Sequence, residues 1–166
     1  MSFLSKLIER VVVSQMNDYC HSNHLNEVLQ SAYIRGHSTE TALLKVTNDV
    51  LCAMDNQQVT ILTLLDLSAA FDTIPHDRFL MRIEHEFGIR GPALEWFRSY
   101  LSDRVQQVRI NKSLSRQEPQ ETGMVQGSGI CPWGYTKYMK PLGSLIRLLA
   151  ILFHMFADDT QLYKTF

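Results

Sequence analysis

The sequence predicts an α+β fold, because helix-like and strand-like periodicities alternate along the chain. Two continuous apolar runs, VTILTLL before Asp66 and the segment from about 149 to 156, have the length and abrupt ends of strands. Elsewhere, apolar residues recur at three- and four-residue steps, as they do on one face of a helix. Strands that are separated by helices and end in a hairpin are typical of the α+β class.

The composition is that of a globular domain or a piece of one. Of 166 residues, 45% are hydrophobic and 20% charged, which excludes a disordered or fibrous chain. The net charge is −1, whereas a tight grip on nucleic acid usually needs a basic surface. Three widely spaced cysteines indicate reduced thiols, with no disulfide framework or zinc knuckle. Cys20, His21 and His24 match no metal-ligand spacing, which favours the polar end of a helix.

Residues 1–57 are predicted to form two helices joined by a polar loop. The apolar positions of the first helix are mostly three or four residues apart: Leu4, Leu7, Ile8, Val11, Val12 and Tyr19. Residues 22–37 are polar and predict the loop. Ser38 is a good N-cap for the second helix, which has Glu40 in its first turn and stops at Asp55-Asn56.

The middle of the chain alternates between strands and helices. The run 59–65 is predicted to be a buried central strand, since it is continuous, apolar and partly β-branched. A helix is predicted over 75–88, where the final glycine suits the position after a helix C-terminus, and Gly91-Pro92 opens the next helix. Residues 104–111 predict a strand, and 111–113 predict a turn.

The C-terminal part is predicted to end in a hairpin. Residues 117–129 are polar and Gly-rich and predict a loop, and a helix is expected over 132–147. An apolar strand over 149–156 then meets Asp158-Asp159, with 160–163 as its antiparallel partner. The two acids would therefore lie at the hairpin tip.

Nothing in the sequence predicts export or a membrane span. The N-terminal apolar stretch contains Lys6, Glu9 and Arg10 and has no small-residue cleavage site, unlike a secretory signal. The apolar segment 142–157 is interrupted by Arg147 and His154 and is shorter than the ~20 residues of a spanning helix, so it is expected in the core. An intracellular protein of the nucleus or cytoplasm, with no membrane partner, is expected.

Three acidic residues are candidate metal ligands. Asp66 follows one apolar strand and Asp158-Asp159 adjoins another, so neighbouring strands would bring the carboxylates together. Carboxylates beside apolar strands are costly unless they are paired, protonated or bound to metal. Oxygen ligands with incomplete protein coordination suit Mg²⁺, and two such ions ~4 Å apart assist phosphoryl transfer. The alternatives are a helix N-cap for Asp66 and a solvated turn for the pair.

Five segments resemble the reverse transcriptases of non-LTR (LINE-type) retrotransposons and follow that family's order. TILTLLDLSAAFDTIPHD is similar to the first palm motif, an Asp followed five residues later by Phe or Tyr. FADDTQLY is similar to the hairpin motif, and GMVQGSGICP to the Pro-Gln-Gly-Ser loop between them. SAYIRGHSTETALLKV resembles a fingers segment before the palm, and FRSYLSDRVQQVRI the stretch between the first two palm motifs.

The resemblance implies a reverse transcriptase fragment with fingers-side helices at about 1–57, a palm at about 58–166 and no thumb. The implied activity is RNA-directed DNA polymerisation by two-metal transfer of nucleotides to a primer 3′-hydroxyl. The implied partners are an RNA template, a DNA primer and a dNTP. The implied cofactors are two Mg²⁺ ions, for which Mn²⁺ can substitute, and the oligomeric state is open.

The resemblance also assigns roles to single palm residues. Asp66 and Asp158 would be the main metal ligands, with Asp159 a supporting carboxylate. Ala70 and its small neighbours would let the backbone approach the nucleotide. Phe71 would pack against the sugar and exclude a 2′-hydroxyl, and an ordinary core aromatic is the alternative.

The resemblance also implies roles for residues of the loop and the fingers, and the loop region differs from the family pattern. Gln126 and Gly127 would line the nascent base pair and the template, with a flexible loop as the alternative. Arg35 would contact a nucleotide or template phosphate, with an ordinary surface arginine as the alternative. Val125 stands where the family has proline and should loosen the loop. Gly134 should cost a helix ~1 kcal/mol relative to alanine.

Three hypotheses stay open on the sequence. The first is an RNA-directed DNA polymerase domain. The second is a catalytically inactive remnant, or a nucleic-acid-binding module, of the same fold. The third is an unrelated metal-dependent phosphohydrolase, against which the Gln-Gly-Ser loop and the Asp-to-Phe spacing count.

Overall fold

Helices and strands alternate through the chain, which confirms the α+β class. The computed structural model describes residues 3–125 and 127–166. The α-helices of this part are α1 (Phe3–Ser22), α2 (Thr39–Asp55), α3 (His76–His85), α4 (Pro92–Leu101) and α5 (Ile130–Leu148). Its β-strands are β1 (Thr60–Leu65), β2 (Val105–Gln106), β3 (Arg109–Ile110), β4 (Ser113–Leu114), β5 (Glu118–Pro119), β6 (Leu152–Phe156) and β7 (Asp159–Thr165).

The main sheet is antiparallel and has the strand order β1–β7–β6. β6 and β7 form the predicted hairpin, in which Phe156 pairs with Asp159. On the other side of β7, Leu65 of β1 pairs with Thr160. The two strands that end at acidic residues therefore belong to one sheet.

The predicted burial and central position of β1 are wrong. β7 is the central strand because it pairs on both sides, so β1 is an edge strand within the described part of the chain. Leu62 and Leu64 are 48% and 70% exposed, and Ile61 is 58% exposed. A continuous apolar run shows what a strand is able to bury, whereas its pairing and the neighbouring helices decide what it does bury.

The larger hydrophobic core lies among α3, α4 and α5. Trp133 of α5 stacks on Phe97 of α4 with ring centroids 5.4 Å apart, and Phe79 of α3 meets Phe97 edge-on. α1 closes this core through half-buried Val12 and Met16. A smaller core under the hairpin consists of Ile146, Phe153 and Met155. Because α5 contributes to both cores, it joins the sheet to the other helices.

Segment 142–157, predicted to be core, is divided between α5 and β6 and supplies the smaller core. Within residues 3–125 and 127–166, no helix combines the length and hydropathy that crossing a bilayer requires.

Gly134 has a packing role that its sequence position in a helix did not reveal. It is buried in α5, and a Cβ built there would lie 2.5 Å from Met124 Cε and 3.3 Å from the Phe79 ring. The missing side chain therefore lets α5 approach α3 closely. This packing offsets the helix-propensity cost of about 1 kcal/mol.

Local signals placed most helix ends correctly. Ser38 caps α2 as predicted, since its hydroxyl accepts from the Thr41 N–H at 3.3 Å. α3 instead ends at His85, and Gly88 follows outside the helix with a φ of +67°. The strand predicted over 104–111 is divided into β2 and β3, which pair with β5 and β4 respectively. Each of these ladders joins two residues of one strand to two of the other.

Replacing Gly143 by alanine should destabilise the fold, although alanine is the better helix former. A Cβ at this position of α5 would lie 3.1 Å from the Phe153 ring and would collide with Glu27 Oε2. Glu27 would then have to release Arg147, which donates to both of its carboxylate oxygens. We expect Gly143→Ala to lower the free energy of unfolding by about 1–3 kcal/mol in urea denaturation.

The matched control is Ser144→Ala, which changes the exposed neighbour of Gly143 in the same helix. It should leave stability unchanged or slightly raised. A stabilised Gly143→Ala protein would contradict the packing assigned to this glycine.

Candidate active site

The C-terminal end of β1 and the tip of the β6–β7 hairpin meet at one end of the main sheet. Leu65, the last residue of β1, pairs with Thr160, so Asp66 follows at the same end of the sheet as Asp159, the first residue of β7, and Asp158 lies in the turn. In an antiparallel pair, the C-terminal end of one strand always meets the N-terminal end of its partner. The two acidic strand ends are therefore neighbours, which is the condition under which the sequence would bring the carboxylates together.

All three acids are accessible to solvent, which differs from the expected apolar setting. Asp66 and Asp159 are exposed and Asp158 is half-buried. The desolvation cost expected for a carboxylate at the end of a buried strand does not arise, because β1 lies at an exposed edge. Asp66 and Asp159 line a cavity of about 240 Å³, together with Phe156. Among the described residues, no three His, Cys, Asp or Glu side chains are preassembled to hold a metal ion.

Asp158 lies near two tyrosines that the sequence did not single out. Burial, followed by the negative charge of Asp158, raises the pKa of the Tyr135 phenol. The same two causes raise the pKa of Tyr33. Both phenols therefore stay neutral around pH 7. Tyr135 belongs to α5 and Tyr33 to the loop before α2, so only the tertiary structure brings them to the hairpin tip.

The turn after β1 holds the two residues expected to contact a nucleotide. Ala70 is buried, and half-buried Phe71 packs on Tyr135 with ring centroids 4.3 Å apart. Ala69 has a φ of +54°, a left-handed backbone that is uncommon outside glycine. One side of the Phe71 ring is therefore packed as in a core aromatic, while part of the side chain stays exposed to solvent.

Residues 123–129, GMVQGSG, form the glycine-rich loop, which begins beside this turn. The Met124 N–H donates to the Phe71 carbonyl at 2.8 Å, and the Gly123 N–H to the Ile74 carbonyl at 2.8 Å. Gly127 is exposed and has a φ of +76°, which glycine adopts without strain. Gln126 lies outside the described residues.

Arg35 lies apart from Asp66 and Asp159. It is exposed and lines a second cavity, of about 780 Å³, with Tyr33, Trp133 and Lys137. Lys137 is buried there and its ammonium donates to Asn26 Oδ1 at 2.6 Å. Burial lowers the pKa of this ammonium. Tyr33 borders this cavity and is also affected by the charge of Asp158.

The three N-terminal residues weighed as a metal cluster are spread out. Cys20 is fully buried, whereas His21 and His24 are exposed. This agrees with the favoured interpretation, the polar end of a helix that closes at Ser22.

A buried serine anchors β6 to the loop between α1 and α2. Ser31 Oγ lies 2.8 Å from His154 Nε2 and 3.1 Å from His37 Nδ1. Beside it, the Gln30 amide accepts from the Ala157 N–H at 3.0 Å and donates to the Ala157 carbonyl at 3.2 Å. These bonds hold the strand that leads into Asp158. In the sequence, His154 was only a polar interruption of an apolar segment.

Comparison with known families and proteins identifies relatives. A family model described as reverse transcriptase (RNA-dependent DNA polymerase) matches residues 1–165. The chain is 30% identical over 142 residues to the probable RNA-directed DNA polymerase from transposon BS of Drosophila melanogaster, covering 86% of this chain and 16% of that protein. It is 25% identical over 163 residues to the RNA-directed DNA polymerase from mobile element jockey of the same species, covering 95% and 18% respectively.

A third relative, the probable RNA-directed DNA polymerase from transposon X-element of Drosophila melanogaster, is 26% identical over 135 residues. That match covers 81% of this chain and 15% of the relative. The chain therefore spans between 15% and 18% of the length of these relatives. They confirm the resemblance to LINE-type reverse transcriptases.

Two solved structures share the fold. One is apo telomerase from Candida tropicalis truncated from the C-terminal domain, with a TM-score of 0.64 and 14% identity, covering 93% of this chain and 33% of that one. The other is telomerase from Candida albicans in complex with a TWJ fragment of telomeric RNA, with a TM-score of 0.63 and 14% identity, covering 97% and 30%. At this identity the likeness shows the fold alone, an antiparallel sheet packed on helices.

The burial of His154 should make stability depend on pH. Burial, followed by the positive charges of Lys45 and His37, lowers the pKa of His154, and the nearby Asp49 opposes this shift. The unfolded chain then takes up a proton at a higher pH than the folded one. The free energy of unfolding should therefore be full above about pH 6.5 and fall as the pH drops towards the lower folded pKa.

His154→Gln keeps a polar partner within reach of Ser31 and should remove this part of the pH dependence. The measurement is urea denaturation between about pH 8 and pH 5, where histidine titrates. His24→Gln, at an exposed position, is the control and should keep the slope. The assignment is wrong if His154→Gln and the unaltered protein show the same slope.

Proposed function

Because the chain belongs to the reverse transcriptase (RNA-dependent DNA polymerase) family, we propose that it forms the fingers–palm part of an RNA-directed DNA polymerase of a non-LTR retrotransposon. The observation that carries this proposal is the pairing of β1 with β7, which brings the strand end before Asp66 to the same end of the main sheet as the hairpin tip with Asp158 and Asp159. We assign residues 1–57 to the fingers side and residues 58–166 to the palm.

The proposed reaction is nucleotidyl transfer. The 3′-hydroxyl oxygen of a DNA primer attacks the α-phosphorus of a dNTP that is paired with an RNA template. A phosphodiester bond forms, the bond between the α-phosphorus and the bridging oxygen breaks, and pyrophosphate leaves. The hydroxyl proton passes to solvent. Protein groups contribute position and charge neutralisation, without a covalent enzyme intermediate.

The donor set suits Mg²⁺, for which Mn²⁺ can substitute. Asp66, Asp158 and Asp159 offer carboxylate oxygens only, and their exposure leaves room for water and substrate phosphates. We assign Asp66 and Asp158 as the main ligands and Asp159 as a supporting carboxylate. Two ions held there would stabilise negative charge on the attacking and leaving oxygens.

The other residues of the site would orient the substrates. Ala70 lets a nucleotide approach the turn after β1, and Phe71 packs against its sugar and excludes a 2′-hydroxyl. Gln126 and Gly127 line the nascent base pair and the template. Arg35 contacts a nucleotide or template phosphate, which its planar fork of donors suits.

A catalytically inactive remnant that still binds nucleic acid is the second candidate. Within the part of the chain that the structure describes, the three acids are not preassembled as a ligand group. Val125 also stands where the family has the proline that would order the loop. Both observations favour a loss of turnover over a loss of fold.

Asp158→Asn should abolish primer extension on an RNA template with Mg²⁺ and dNTPs. Losing a metal ligand should remove several kcal/mol of transition-state stabilisation, on the order of a thousandfold in rate. Asp77→Asn, at an exposed carboxylate in the first turn of α3, is the control and should extend normally. Equal extension by the Asp158→Asn and unaltered proteins would count against a polymerase site. No extension by either folded protein would favour the remnant.

Phe71→Ala should weaken selection against ribonucleotides. Removing the ring opens space for a 2′-hydroxyl, so incorporation of ribonucleotides relative to deoxyribonucleotides should rise about tenfold or more. Phe71→Tyr keeps the ring and is the matched control. The measurement is single-nucleotide extension with each triphosphate. An unchanged ratio in Phe71→Ala would leave Phe71 as a core aromatic alone.

A further inference from the structure

A buried carboxylate of α1 anchors the glycine-rich loop. Glu9 is 2% exposed, and its Oε2 accepts from the Ser128 hydroxyl at 2.9 Å and from the Gly129 N–H at 2.9 Å. Its Oε1 accepts from the Ser5 hydroxyl at 3.1 Å, one turn earlier in α1. Glu9 and its loop partners are 119 and 120 residues apart in sequence, so the contact exists only in the folded chain.

The surroundings of Glu9 suit a negative charge. Gly129 is the N-cap of α5, where unpaired N–H groups and the helix dipole favour an anion. The Ser128 hydroxyl, which donates to Glu9, accepts in turn from the Tyr100 hydroxyl at 2.6 Å and the Ile130 N–H at 3.0 Å. A buried carboxylate is tolerated only where such donors surround it. The donors to Glu9 come from α1 and from the loop, whereas α4 and the start of α5 donate to Ser128.

The loop is thereby held at both ends. At its start, the Met124 N–H donates to the carbonyl of Phe71, in the turn after β1. At its end, Glu9 binds Ser128 and Gly129. Val125 and Gly127 lie between these two attachments. The Ser128 N–H also donates to the Val125 carbonyl at 3.1 Å, so the attachment of Ser128 to Glu9 also restrains Val125.

We propose that Glu9 is a positioning residue for nucleotidyl transfer, because its carboxylate holds Ser128 and Gly129 and thereby places the adjoining Gly127 where it meets the paired template and nucleotide. This inference rests on the proposed function, which supplies the substrate of the loop. The same contact sets where α5 begins. It therefore also sets the place of Tyr135, which packs on Phe71 and lies near Asp158.

A Glu9 contact that only stabilised the fold would have different effects on the kinetics from one that positions the loop. It would lower stability and the amount of folded enzyme, and so reduce the rate at every nucleotide concentration alike. A misplaced loop instead weakens the productive complex with the nucleotide, so the KM for the dNTP rises more than kcat falls. Separating KM from kcat therefore distinguishes the two roles.

The experiment compares Glu9→Ala and Glu9→Gln with Glu27→Ala in the whole chain. Glu27 is a matched control, because it is also a buried carboxylate tied to α5, through Arg147 at the helix end remote from the loop. Primer extension is measured over a range of dNTP concentrations, with the folded fraction of each protein determined by circular dichroism.

We expect Glu9→Ala to raise the KM for the dNTP on the order of ten- to a hundredfold, with a smaller change in kcat. Glu9→Gln should stay near the unaltered protein, since its amide oxygen can accept both loop bonds. Glu27→Ala should lower stability and leave KM unchanged. The proposal is overturned if Glu9→Ala changes KM no more than Glu27→Ala does.

Amide hydrogen exchange supplies a readout that needs no turnover. The amides of 127–130 should exchange faster in Glu9→Ala than in the unaltered protein, and at the normal rate in Glu9→Gln and Glu27→Ala. If the unaltered chain extends no primer, the proposed polymerase function fails, and exchange alone then decides on the anchored loop. Unchanged exchange of these amides in Glu9→Ala would overturn the anchor itself.

Discussion

The antiparallel pairing of β1 with β7 is the constraint on which the candidate site depends. It sets Leu65 opposite Thr160, and so brings Asp66 beside the hairpin tip that carries Asp158 and Asp159. Because side chains alternate between the two faces of a strand, a slip of one residue would turn Asp66 to the opposite face. The proposed nucleotidyl transfer therefore depends on a strand register between residues that are almost a hundred positions apart in the sequence.

α5 connects the main sheet to the other helices. Its apolar residues enter both hydrophobic cores, and its Tyr135 lies against the turn after β1. Two buried glutamates hold it from outside, Glu9 at its start and Glu27 at its end. Buried carboxylates require specific donors, so they restrict the helix to one position more strictly than apolar contacts do.

The acids lie at the solvent-accessible end of the sheet, while the two hydrophobic cores that hold the sheet in place are buried. Such a division suits a site whose metal coordination is completed by substrate phosphates. Catalytic activity and membership of the family therefore depend on different features of the chain. Family membership follows from the match of the family model to residues 1–165, whereas the proposed turnover would depend on how closely the carboxylates of Asp66, Asp158 and Asp159 approach one another. A remnant could keep the first property and lose the second.

The sequence by itself determined the helices, the hairpin, the family and the three acids, because these depend on signals a few residues long. Ser38 caps α2 through its neighbour Thr41, and FADDTQLY carries its own turn. Only the tertiary structure decided that β1 lies at an exposed edge, since an apolar run does not encode its neighbours. It alone distinguished Glu9 from the other charges of α1, because the donors that Glu9 needs arrive from residues 119 and 120 positions away.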